Sequence, residues 1–223
     1  MIGVVIGIGP VWQECAEDAA VRMQRYTGLK CHVVSDWPRS VRLPPSTNPS
    51  WLKLWMQECL FPGEDLLLFD ADLFCRKPWD PAEALGIHDL CWVLVKPFHT
   101  RGVFSFPKLD RECEECGLDM DRYGNCGLML VKSSCTILKE AQKFCPVYGS
   151  WLEQTGVNRA VQDRPDLSIG TLPPAYNWTI PSRVWLKDLD QVWRADPVNL
   201  HLCRMRGNRQ WLDFARKFLL ESA

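Results

Sequence analysis

The chain predicts an α/β fold, an open sheet flanked by helices, and three observations carry that prediction. Ile2 to Ile8 is a β-branched apolar run, closed by Gly9-Pro10. A helical pattern through Cys15, Ala19, Met23 and Tyr26 follows, and Cys31 to Ser35 is a second short apolar run, so the chain opens as strand, helix, strand. A third apolar run, Leu66 to Phe69, drives straight into Asp70-Ala71-Asp72.

The first helix is expected to stop at Thr27-Gly28, and the second strand at Asp36. Leu43 to Pro49 is proline-rich and reads as loop; Trp51 to Leu60 has helical spacing and is broken by Pro62-Gly63. The acidic strand is then the third. Ile87 to Val95 reads as a further strand, Lys96 to Tyr123 as a long loop over a site, and Gly127 to Val131 as another strand. Thr136 to Phe144 and Trp151 to Val161 read as helices. After Gly207, Trp211, Phe214, Ala215, Phe218 and Leu219 share one face of a docked terminal helix. There are no internal repeats, and residues 1–223 are expected to form one domain.

A formal net charge of −1 disfavours nucleic acid or anionic lipid as the main partner. No apolar stretch approaches the roughly 20 residues that span a bilayer, and the first ten residues lack the basic start of a signal peptide. The eleven cysteines are scattered through strands and helices rather than spaced as a disulfide framework, so a cytoplasmic location is expected. Most are small buried hydrophobes. Cys113, Cys116 and Cys126 have a spacing that could hold Zn2+ if a fourth ligand such as His99 approached, although no second paired-cysteine knuckle follows.

Asp70 and Asp72 lie at i and i+2 of a strand end, which sends both carboxylates to one face while Ala71 points away. Two oxygen ligands favour Mg2+ or Mn2+ over Zn2+; a pair of solvated aspartates is the plainer alternative. In an open α/β sheet, ligands bind beyond the carboxyl ends of the strands, where Gly9-Pro10, Asp36 and Asp70-Ala71-Asp72 all fall. The turn Gly7-Ile8-Gly9-Pro10-Val11-Trp12 lacks the third glycine of a dinucleotide fingerprint, and it lacks the Lys or Arg of the triphosphate-gripping loop of nucleotidyltransferases.

Five motifs in order give a resemblance that spans nearly the whole chain. They are Phe69-Asp70-Ala71-Asp72; Tyr123-Gly124-Asn125-Cys126-Gly127 with the strand to Val131; Glu153-Gln154 with Asn158; Leu172-Pro173 with Tyr176-Asn177-Trp178; and His201 followed by Gly207 and Arg209 to Trp211. Together they resemble the GT-A nucleotide-sugar glycosyltransferases, in particular the retaining group of glycogenin and the lipooligosaccharide galactosyltransferases. The departures are Glu153 where that group has Asp, a longer stretch between His201 and Gly207, Arg209 for a lysine, and Gln210 for a proline.

The resemblance implies a GT-A fold with a single Rossmann-like mixed sheet flanked by helices. It also implies transfer of a hexose from a nucleotide-diphosphate sugar, expected to be a UDP-sugar, to an acceptor hydroxyl with retention. His201 becomes the third metal ligand beside Asp70 and Asp72, for Mn2+ or Mg2+. Gly9, Val11 and Asp36 face the base and ribose, and Arg209, with Arg204 or Arg206, faces phosphate or else forms a solvated basic loop. Lys53 turns to the donor or is an exposed helical lysine. Asn125, Gln154 and Glu153 are the catalytic candidates: the two amides orient the sugar, Gln154 lining its β face with Glu153 nearby, while strand and turn roles are the alternative for Asn125 and Tyr176-Asn177. A nucleotidyltransferase and a non-catalytic carbohydrate binder are the alternatives, and the acceptor is a glycan, a protein or a small molecule.

Overall fold

A computed structural model describes residues 1–42, 48–95, 107–145, 152–179 and 196–202, with positions 209, 212, 213 and 216. His99, Arg204, Arg206, Gly207, Trp211, Phe214, Ala215, Phe218, Leu219 and most of the proline-rich loop lie outside the described residues.

A six-stranded mixed sheet has the order β2-β1-β3-β6-β5-β7. Its strands are β1 (Ile2–Ile6), β2 (Cys31–Val34), β3 (Leu66–Phe69), β5 (Leu90–Leu94), β6 (Gly124–Val131) and β7 (Ile169–Thr171). β1 runs parallel to both β2 and β3, and β5 parallel to β7, whereas β6 is antiparallel to β3 and β5. The three N-terminal strands therefore deliver their carboxyl ends to one edge. A second sheet, unforeseen from the sequence, has the order β4-β9-β8 and is built from β4 (Leu73–Cys75), β8 (Trp178–Thr179) and β9 (Asn199–His201).

Side-chain alternation along the strands divides the interior into two cores. Val5, Leu67, Phe69, Leu128 and Leu130 face helix α1 (Pro10–Thr27), meeting its buried stripe of Cys15, Ala16, Ala19, Ala20 and Met23. Val4, Leu66, Leu68, Met129 and Val131 face the other side, against Trp51, Leu52, Leu54 and residues of two later helices. β3 is buried at all four positions because both faces are covered, which explains its unbroken apolar run.

α1 begins with Pro10 in its first turn, where no backbone N–H is needed, and ends at Gly28. Gly28 takes φ 72°, a left-handed cap that a side chain would strain, and its N–H closes on Gln24 O. The predicted helix over Trp51 to Leu60 is instead a 3-10 helix, Pro49–Trp55, running into a π turn, Met56–Leu60. Asn48 caps its start by accepting from Ser50 N at 3.0 Å. Asp80 similarly caps a short helix missed in the sequence, α2 (Pro81–Leu85), by accepting from Ala82 N and Glu83 N. The long loop predicted from Lys96 to Tyr123 contains helix α3 (Pro107–Cys116) and a 3-10 turn at Met120–Arg122. Two further helices, α4 (Ile137–Ala141) and α5 (Leu152–Gln162), match expectation in place.

The residues of the predicted tail face lie outside the described residues, but two of their neighbours are docked. Leu212 is buried in the α1 core, and Arg216 donates to Asp18 Oδ2 at 2.6 Å. Among the described residues every cysteine is unbridged, and no helix is long and apolar enough to cross a membrane.

Candidate metal centre and donor site

Asp70 and Asp72 meet through a turn rather than along a strand. β3 ends at Phe69, Leu73 N donates to Asp70 O at 3.0 Å, and β4 leaves for the second sheet. The i and i+2 argument made on an extended strand is corrected accordingly, although Ala71 does point away, into the α1 core. His201 arrives on β9, paired opposite Leu73, and Leu202 N donates to Asp72 O at 2.9 Å. The second sheet thus clamps the histidine onto the acidic turn.

His201 Nε2 lies 3.2 Å from Asp72 Oδ1 and 3.4 Å from Asp70 Oδ2. These three residues offer ligand atoms within 4.8 Å of one another, and among the described residues they are the one such group. Two carboxylate oxygens and an imidazole nitrogen suit a borderline-hard divalent cation such as Mn2+, with Mg2+ served by the oxygens. The set fits the ion that the resemblance implies.

Gly127 makes room for this arrangement. A Cβ there would sit 2.4 Å from His201 Cε1 and 2.8 Å from Asn125 Oδ1, so only glycine lets the imidazole lie against β6. The same strand carries a register break: Trp92 pairs with Met129, but Val93 pairs with Asn125. The break strands backbone groups of β6, and side chains satisfy them. Cys126 N donates to Gln154 Oε1 at 3.1 Å, while Asn158 accepts from Gly124 N at 2.7 Å and donates to Gly124 O at 2.9 Å. Gln154 and Asn158 are four apart on α5 and reach β6 from one helix face.

Lys53, 2% exposed, fills the space behind the acidic turn. Its ammonium donates to Asp70 Oδ1, to Cys126 O at 2.9 Å and to Glu153 Oε1 at 2.8 Å. Burial pulls the Lys53 pKa down, but the Asp70 and Glu153 carboxylates outweigh it and hold the ammonium charged, well above its ordinary value. Burial likewise opposes ionisation of Asp70, and the Lys53 ammonium overcomes it, keeping that carboxyl well below the usual range. One oxygen of Asp70 therefore belongs to Lys53, and the other faces Asp72 and His201. Glu153 is 4% exposed and its Oε2 has no partner among the described residues.

The remaining candidates are spread around this centre. Asp36 is exposed just past β2, on the edge where β1 and β3 also end. Gly9 precedes α1 with φ 98° and open space around its α-carbon, and Val11 follows on the first turn of the helix. Gly7, which the sequence reading did not single out, is the tighter glycine: a Cβ would meet Ala16 Cβ and Trp12 O at 2.5 Å. Arg209 is on the tail and pairs with Glu14 of α1. The three cysteines do not form a metal group among the described residues. Cys113 is buried in a satellite core beside Met120, with Cys116 packed against it, and Cys126 belongs to the core beneath the sheet.

No protein-family model matches the sequence, and no curated protein matches it. Solved structures do. The bifunctional glycosyltransferase WbbM in its apo form is 12% identical with a TM-score of 0.62 over 91% of this chain, which spans 45% of the WbbM chain. The galactosyltransferase LgtC, solved with donor and acceptor sugar analogs, is 12% identical with a TM-score of 0.59, over 100% of this chain and 95% of LgtC. A glycosyltransferase involved in glycosylation of the major capsid of PBCV-1 is 14% identical with a TM-score of 0.61, over 97% and 99%. The architecture is thus a mixed α/β sheet flanked by helices, in the GT-A fold of nucleotide-sugar glycosyltransferases.

Proposed function

We propose that this chain is a metal-dependent glycosyltransferase that moves a hexose from a UDP-sugar to an acceptor hydroxyl with retention of anomeric configuration. The observation that carries the reading is the convergence of Asp70 Oδ2, Asp72 Oδ1 and His201 Nε2 at the edge where β1, β2 and β3 end. A bound Mn2+ or Mg2+ would supply positive charge against the pyrophosphate as the sugar departs. Asp36, Gly9 and Val11 border the space for base and ribose. Arg209, released from Glu14, is the candidate for a phosphate contact among the described tail residues.

Asn125 and Gln154 sit on the sugar side of this centre. Asn125 Nδ2 has no acceptor among the described residues, which leaves it for a sugar hydroxyl. Glu153 is sealed from solvent with one oxygen on Lys53, a position suited to holding that lysine rather than to attacking an anomeric carbon. We therefore assign retention to attack on the face from which the leaving phosphate departs, with that phosphate taking the acceptor proton.

Thermal unfolding with UDP-, GDP- and CDP-sugars, each with and without Mn2+, tests the reading. A ligand at 100 times its Kd adds about 2.7 kcal/mol, or about 5 to 10 °C for a chain of this size. The expected result is that shift with UDP-sugar and Mn2+ together; no shift with any nucleotide sugar would contradict the proposal.

A further inference from the structure

The hydrogen bonds behind His201 determine which of its ring nitrogens carries the proton. Gly127 N is a backbone donor, so the Asn125 atom 2.7 Å from it is the side-chain oxygen. That oxygen also lies 2.9 Å from the Asn177 amide, which must then present its Nδ2 there. Asn177 Oδ1 is left facing His201 Nδ1 at 2.9 Å, and an oxygen can only accept. Asn177 is fully buried in the 3-10 turn Pro174–Asn177, and Thr179 pairs with His201 in the second sheet, so the amide has little room to turn over.

We propose that Asn125 and Asn177 are positioning residues that hold neutral His201 as the Nδ1–H tautomer, leaving the Nε2 lone pair as the metal ligand. The proposal rests on the metal-dependent reading above for its purpose, but the tautomer follows from the protein's own donors and acceptors. The relay starts at a backbone N–H, which cannot reverse, and each link passes that fixed sense to the next: Gly127 N–H to Asn125 Oδ1, Asn177 Nδ2 to the same oxygen, His201 Nδ1–H to Asn177 Oδ1. Nε2 then turns its lone pair toward Asp72 Oδ1 and Asp70 Oδ2, at 3.2 and 3.4 Å, and a cation held between them would draw on all three atoms.

The test is the nitrogen spectrum of ring-labelled protein without metal, at a pH where the same spectra show His201 neutral, alongside Mn2+ titration by electron paramagnetic resonance. Wild type is expected to show a single Nδ1–H tautomer. Asn177→Leu and Asn125→Ala are expected to mix the tautomers and weaken Mn2+ binding about 10- to 100-fold. Asn125→Asp, which keeps both acceptances, is expected to keep the wild-type tautomer. Folding of each variant is read from its amide spectrum, and Asn125 is partly exposed, so its variants serve if Asn177→Leu does not fold. An Nε2–H tautomer in wild type, or an unchanged tautomer in folded Asn125→Ala, would overturn the relay. A correct tautomer, mixed in the variants, in a protein that binds no Mn2+ would uphold the relay and contradict the metal reading instead.

Discussion

Lys53 Nζ donates to Glu153 Oε1 across 2.8 Å, joining residues 100 positions apart where both are nearly sealed from water. The same ammonium grips Asp70. A buried charge this well satisfied stabilises little in net terms, but it costs a great deal to break.

Lys53→Met would leave two acidic groups without their cation. The expected loss is about 3 to 5 kcal/mol in urea unfolding. Lys53→Met combined with Glu153→Gln removes the most buried of the stranded charges, so the pair is expected to lose less than Lys53→Met alone. Equal losses would show that Glu153 does not depend on the lysine.

The two glycines of β6 are expected to fail differently. A Cβ at Gly124 would fall 1.9 to 2.4 Å from the Trp92 ring, so Gly124→Ala forces the core to shift, at about 1 to 3 kcal/mol of stability. A Cβ at Gly127 would strike His201 instead, so Gly127→Ala is expected to lower Mn2+ affinity at least about tenfold by disturbing the ligand set. Chemical denaturation and Mn2+ titration of the two variants separate these outcomes.

The buried thiols set an alkaline limit. Burial, with nearby acids, pushes Cys15 up to about 12, and burial pushes Cys75 and Cys91 up to about 11. The unfolded thiol titrates near 8.5. Between about pH 8.5 and 11 the native state keeps protons that the unfolded chain has lost, so stability falls as pH rises through that window. Each thiol contributes a slope of up to about 1.4 kcal/mol per pH unit, and below about pH 8 that slope disappears. Urea midpoints at pH 7.5, 9 and 10 check both the direction and the flat neutral region.

The opening strand, helix, strand and the acidic end of β3 were legible because local periodicity and glycine punctuation encode them. The second sheet was not. β4, β8 and β9 are two or three residues long, too short for a period to register, and β4 finds its partner β9 far along the chain. The turn at Asp70 escaped for the same reason, since the partner that pulls β4 out of line is remote in sequence. His201, Asn125 and Asn158 were visible only as pieces of an ordered motif. Their work depends on a register break in β6 and a buried amide chain, which spacing alone does not show. Arg209 was assigned to phosphate from its place in that motif, and the structure pairs it with Glu14.

The most direct test of the account is pulsed electron paramagnetic resonance of Mn2+ bound to the protein with UDP. One bound ion is expected, coupled to a single imidazole nitrogen and to phosphorus, with the nitrogen coupling lost in His201→Gln. Mn2+ that binds without imidazole coupling, or shows the same spectrum in His201→Gln, would contradict it.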